Sequence, residues 1–155
     1  MEELRVPKRK VAVEAFLPGG QHRAMALFLA DAAPNHSGPE QPLDLLNGRD
    51  GFFPAFDDEA RRMTFLNRDE VLAMRVARAL DADVEEVTLP TEHEVELLLS
   101  DGTVLAGLAS YVRPPDRSRL LDVLNEPIPF FRLLQGEQVA YVNKRHVARV
   151  ALPAK

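Results

Sequence analysis

The chain contains no cysteine, which excludes a disulfide framework, a thiolate nucleophile and a cysteine metal site. It also lacks any apolar run near the roughly 20 residues needed to span a bilayer, so no transmembrane helix is expected. The first residues, MEELRVPKRKVAVEAF, carry a basic cluster without the apolar core of a secretory signal, and a cytoplasmic location is expected. Positive charge is not in excess: the formal net charge is −5, which argues against broad phosphate-backbone binding, although a local patch can override the average. No glycine-rich loop suited to cradling phosphate occurs. The histidines His22, His36, His93 and His146 are scattered, with no i, i+4 pair, so their spacing defines no metal site. Ser37 sits in a turn, NHSGPE, without the strand-to-helix elbow that exposes a nucleophile. The chain therefore reads as non-enzymatic, with no cofactor.

What the chain does contain is an echo. LDLLNGRDGFFPAF (43–56) returns 78 residues later as LDVLNEPIPFFRLL (121–134), with six of fourteen positions identical. Downstream, Asn67, Arg68 and Val71 align with Asn143, Lys144 and Val147 at an offset of 76, and upstream Val13 and Gly20 align with Val95 and Gly102 at an offset of 82. The changes of offset fall in AAPNHSGPEQP and DDEARR, turn-rich stretches where insertions cost little. With 155 residues, 46% hydrophobic and 28% charged, the chain can bury one core or two very small ones. The expected organisation is a basic N-terminal segment (1–10), a first unit (11–76), a linker (77–92) and a second unit (93–152).

Each unit reads as short strands around one short helix. Val- and Leu-rich runs flank Ser100-Asp101-Gly102-Thr103, and Asp-Gly supplies the positive φ that a tight hairpin requires. Pro18-Gly19-Gly20 does the same in the first unit. PEQPLDLLNG and RSRLLDVLN give one to two helical turns, closed by Asn47-Gly48 or Asn125. FFPAF and PFFRLL resume as strands. EVLAMRVARAL fits a helix by periodicity, but its partner HVARVALP is too short for one and ends at Pro153, so a strand is expected in both. Five strands in each unit predict a mainly β protein: two tandem small β-barrels, each with one short helix, packed as a pseudo-symmetric pair.

The strand, Asp-Gly turn and strand TVLAGLASYV, followed by the closing pair in VNKRHVARVALP, resemble the layout of Sm-like and SH3-like small barrels. The two-copy pattern DxLN…FF…(L/V)N(K/R)xxV is also similar to a bacterial domain family without an established activity. The first resemblance implies RNA-binding rings, using Lys144, Arg145 and Arg149; here, though, the helix lies between the second and third strands. A further, local likeness concerns arginines four apart in RVPKR (5–9) and RPPDR (113–117), which resemble the arginine motif of PilZ domains. That implies cyclic di-nucleotide binding with Arg113 and Arg117 as the phosphate clamp. The accompanying Asp/Asn-x-Ser-x-x-Gly has its nearest match in NHSGPE, where Glu40 replaces the glycine.

The repeated residues admit both a structural and a binding role. Asn67 and Asn143 fit turns that bond their own backbone, and Asp44 and Asp122 fit helix caps. Asp57, Asp58, Glu59, Arg61 and Arg62 fit a solvated hairpin tip. In Phe52-Phe53 and Phe130-Phe131 successive rings point to opposite faces, so one of each pair should enter the core while the other is exposed or lies between copies. Phe52, Phe53, Phe130, Phe131 and Tyr141 are the expected partner-binding residues, and Arg113, Arg117, Lys144 and Arg145 the alternative anion-binding set. The resulting expectation is a regulatory adaptor that binds another protein, as a monomer with an internal pseudo-two-fold or a weak homodimer.

Overall fold

The structure is a computed structural model, and it describes residues 8–31, 38–81 and 89–154. In chain order the elements are β1 (Lys8–Leu17), β2 (Gln21–Ala30), α1 (Pro42–Leu46), β3 (Phe52–Asp57), β4 (Arg62–Asn67) and β5 (Ala73–Ala77). Then come β6 (Thr91–Leu99), β7 (Val104–Tyr111), α2 (Leu120–Leu124), β8 (Phe130–Gln135), β9 (Gln138–Asn143) and β10 (Val147–Ala151). Most of the 1–10 segment, the centre of the 77–92 linker, and Ser37 and His36 lie outside the described residues. Among the described residues no helix is long and apolar enough to cross a membrane.

The hairpins form where turn chemistry demands them. Gly19, Gly20, Gly102 and Gly136 take positive φ at the β1–β2, β6–β7 and β8–β9 turns, a conformation that costs glycine little. The β3–β4 turn uses Arg61 instead, at φ 59, held by Asp57, whose Oδ1 accepts from the backbone N–H of Glu59 and of Ala60, both at 3.0 Å. Asp57 is itself buried and paired with Arg23 at 2.7 Å, so this end of the tip is packed rather than solvated. These hydrogen bonds, first of all that from Ala60, hold the Asp57 carboxyl below its usual range.

The ten strands of the described residues join one antiparallel sheet in the order β10-β6-β7-β8-β9-β5-β1-β2-β3-β4, and the sheet is not closed. Two separate closed barrels are therefore not what the strands form; one continuous open sheet is. Its two halves follow the same internal order, with β5-β1-β2-β3-β4 matching β10-β6-β7-β8-β9. Their registers agree as well: Ala26 faces Phe56 where Leu108 faces Leu134, and Ala15 faces Met74 where Leu97 faces Val150. The halves meet where β5 pairs with β9, Met74 opposite Tyr141. A two-fold axis would pair like strands, so the expected pseudo-two-fold is corrected to a head-to-tail joint of a fifth strand with a fourth.

Two buried clusters lie on opposite faces of the shared strands. One gathers Val13, Leu27, Phe53, Val71, Met74 and Val76 with Phe130, Leu134, Val139 and Tyr141. The other gathers Val95, Leu97, Leu105, Phe131, Leu133, Ala140 and Val142 with Phe16 and Leu72. Alternate residues of β8 and β9 thus enter different cores, as the two-residue period of a strand requires. β9 is buried at every position after Gln138, whereas only Leu66 is buried in β4.

Candidate functional site

The doubled motif turns out to be a helix clamp. Asp44 Oδ2 accepts from the backbone N–H of Gln41 at 2.8 Å, and Asp122 Oδ2 from that of Arg119 at 3.3 Å, so each aspartate closes the first turn of its short helix. At the other end a cation reaches back: Arg68 Nη2 donates to the Leu45 carbonyl at 2.8 Å, and Lys144 Nζ to the Val123 and Glu126 carbonyls at 2.5 and 3.0 Å. Positive charge there complements the helix dipole and satisfies orphan carbonyls. Burial lowers the affinity of Lys144 for its proton. The preceding asparagines each start a single 3-10 turn, Asn67 Oδ1 accepting from Asp69 N–H at 3.1 Å and Asn143 Oδ1 from Arg145 N–H at 3.0 Å.

The same asparagines differ in what else they do. Asn143 is buried, and its Nδ2 donates to the Val71 carbonyl at 2.9 Å, across the joint between the halves. Asn47, at the end of α1, holds the backbone of Phe130 from both sides: its Oδ1 accepts from the Phe130 N–H at 2.8 Å and its Nδ2 donates to the Phe130 carbonyl at 3.3 Å. Asn125, which follows α2, is exposed. Asp81 completes the joint, accepting from the Tyr141 hydroxyl at 2.6 Å and pairing with Arg132. Burial and that carboxylate push the Tyr141 hydroxyl far above the usual phenol range.

The structure separates the expected partner-binding residues. Phe53, Phe130, Phe131 and Tyr141 are buried and belong to the cores, so they offer a partner nothing; Phe52 alone is exposed. The physical reason is the joint, which gives both faces of β8–β9 a core to enter. Beside Phe52, sequence reasoning missed Met63 and Phe65, also exposed. The signal was present in their alignment with Val139 and Tyr141. Phe52, Phe56, Met63 and Phe65 share one face of β3–β4, since Phe56 pairs directly with Met63 and Phe52 and Phe56 are two-residue neighbours of Pro54, which pairs with Phe65. On its other side β4 pairs with no strand among the described residues.

The anion-binding candidates are largely committed. Arg113 grips Glu126 with Nε and Nη2 at 2.8–2.9 Å, a fork that holds the Glu126 carboxyl below its usual range, and Lys144 serves α2. Arg117 and Arg145 are exposed. Arg113, Arg132 and Lys144 line a pocket of about 290 Å³ with Ser110, whose buried hydroxyl has no hydrogen-bond partner among the described residues. A larger groove, about 770 Å³, runs between α1 and residues 127–129.

One contact has the look of a nucleophile and base: Ser100 Oγ lies 3.1 Å from His146 Nδ1, and His146 Nε2 is 2.6 Å from the Asp69 carbonyl. That carbonyl orients the ring but carries no charge to stabilise an imidazolium, which a triad acid supplies. Among the described residues no group of three histidines or carboxylates is placed to hold a metal. No family model, no curated protein and no solved structure matches the chain.

Proposed function

We propose that the chain is a non-catalytic interaction module, a bacterial cytoplasmic adaptor or regulator built from two copies of one five-stranded, small-barrel-like unit. The single observation that carries this reading is the β3–β4 face: large apolar side chains stand in solvent on a hairpin whose outer strand has no partner strand among the described residues. Exposed edges invite strand addition, and clustered exposed apolar residues mark a contact surface. The fitting partner is an extended protein segment, apolar at alternate positions, that adds a strand to β4. The two-copy reading draws support from the matching strand orders, registers and helix clamps of the two halves.

Affinity capture with the full chain and with a Phe52→Ser/Phe65→Ser variant tests the reading. A partner held by the native chain and lost by the variant, with circular dichroism unchanged, is the expected result. Equal recovery by both removes this face as the docking surface. A second reading, an anionic ligand such as a cyclic di-nucleotide, has one observation in its favour: the unpartnered Ser110 hydroxyl in a pocket lined by three cations. Binding of a labelled cyclic di-nucleotide that disappears with Arg113→Ala would support it, and absence of binding to the native chain would dismiss it.

A further inference from the structure

We infer that the partner of the β3–β4 face is a second copy of this chain, whose β10 edge pairs with β4 in a head-to-tail contact that repeats the internal β5–β9 joint. The inference rests on the reading above that β3–β4 is a docking surface, and it names the occupant.

The internal joint is the template. There the outer face of β8–β9 covers the first half, and Phe130, Val139 and Tyr141 are 2%, 0% and 0% exposed. Their counterparts on β3–β4, which face no second half, are Phe52, Met63 and Phe65, at 62%, 51% and 72%. The receiving side shows the same contrast. Val71, Met74 and Val76 are buried beneath β8–β9. Their counterparts Val147 and Val150 are half-buried, and Leu152, which follows β10, is 65% exposed. Leu121 on α2 is likewise exposed, whereas its counterpart Leu43 packs against the first core.

The molecule thus ends in one donor hairpin and one acceptor edge, each the match of a surface already buried once inside the chain. Each is too unlike the other to pair with itself in the same way, so the contact is heterologous and propagates, to a ring if the rotation closes and to a filament if it does not. Applying the internal register, in which Met74 faces Tyr141 and Val76 faces Val139, sets Val150 opposite Phe65 and Leu152 opposite Met63. Polar groups fit the same scheme. Asn125 comes to the backbone of Phe52 as Asn47 comes to that of Phe130. Asn67 faces the Val147 carbonyl as Asn143 faces that of Val71. Where the internal joint needs Asp81 to satisfy Tyr141 and Arg132, the outer hairpin presents Phe65 and Pro54, which bring no buried hydroxyl or guanidinium requiring a carboxylate.

The test is sedimentation velocity on the purified full chain, from micromolar to hundreds of micromolar, with two single variants at exposed positions, Phe65→Glu on β4 and Leu152→Glu beside β10. The native chain should form species larger than a dimer, and each variant should associate about tenfold or more weakly. An equimolar mixture of the two variants should form a dimer, because it restores one intact pair of edges. The absence of native cysteine permits a second check that needs no loss of folding: a Phe65→Cys/Val150→Cys chain should oxidise to a ladder of multimers, while either single cysteine, which meets no thiol across the contact, should stay without a cross-link, and a ready dimer of either single variant would overturn the head-to-tail geometry. A native chain that stays monomeric at the highest concentration overturns the self-association while leaving the docking face to be judged by the capture experiment. Variants that fail to complement on mixing, or an effect confined to Phe65→Glu, overturn the head-to-tail geometry.

Discussion

β3–β4 and β8–β9 are built from similar sequences and meet opposite fates. Phe52-Phe53 and Phe130-Phe131 occupy the same register in their halves, yet Phe53, Phe130 and Phe131 are buried while Phe52 stands in solvent. Nothing local to the hairpins causes this. The difference is the neighbour: β8–β9 has a core on each side, and β3–β4 has one. Burial here is a property of the joint, and the energetic weight of a residue follows from which hairpin carries it.

The largest effect that sharpens the comparison is at the phenylalanines. Phe130→Ala should cost about 3–5 kcal/mol through lost burial and the cavity it leaves, read from the midpoint of denaturant unfolding. Phe52→Ala, in a Leu152→Glu background that keeps a second copy from covering it, should stay within about 0.5 kcal/mol. Equal costs would mean that the two hairpins are equivalent after all. Next are the asparagines. Asn67→Ala loses a cap, about 1 kcal/mol, whereas Asn143→Ala also orphans the buried Val71 carbonyl, for about 2–4 kcal/mol in all. Indistinguishable unfolding curves for the two would break the claim that Asn143 ties the halves.

The smallest effect is a pH dependence in the second half. Hydrogen bonding to Arg113 depresses the Glu126 carboxyl in the folded chain. Its contribution is therefore fully present above the ordinary glutamate value of about 4.3 and is lost as pH falls through the lower, folded-state value. Melting temperatures of the native chain and of Glu126→Gln should differ at neutral pH and converge in acid. A gap that persists in acid would assign the effect to something other than this ion pair.

Much of this fold was legible in the residues, because turns and short helices are written locally. Asp101-Gly102 and Pro18-Gly19-Gly20 fit hairpin turns, and the repeated aspartates and asparagines fit the caps and turns that they make. What the cations beside those asparagines do was not visible: Arg68 and Lys144 as helix clamps need a spatial contact 20 or so residues away in the chain. The joint was misread as two-fold because similarity between copies says nothing about which edges pair. One signal did exist for it. VAYV in β9 is a continuous apolar run, the pattern of a strand covered on both faces, whereas RMTFL in β4 interrupts its apolar residues with Thr64.

The first core is completed by Phe130, Leu134, Val139 and Tyr141, all from the far end of the chain. During synthesis, everything through β5 must wait for β9 to be made, roughly 3–13 s at about 5–20 residues per second. For that interval the early half carries a bare β5 edge and an uncovered apolar floor beneath Val71, Met74 and Val76. Another nascent chain's β3–β4 hairpin offers that floor a similar apolar face, but Phe65 and Pro54 stand where Tyr141 and Arg132 meet Asp81, so the carboxylate left without them favours closure by the chain's own β8–β9.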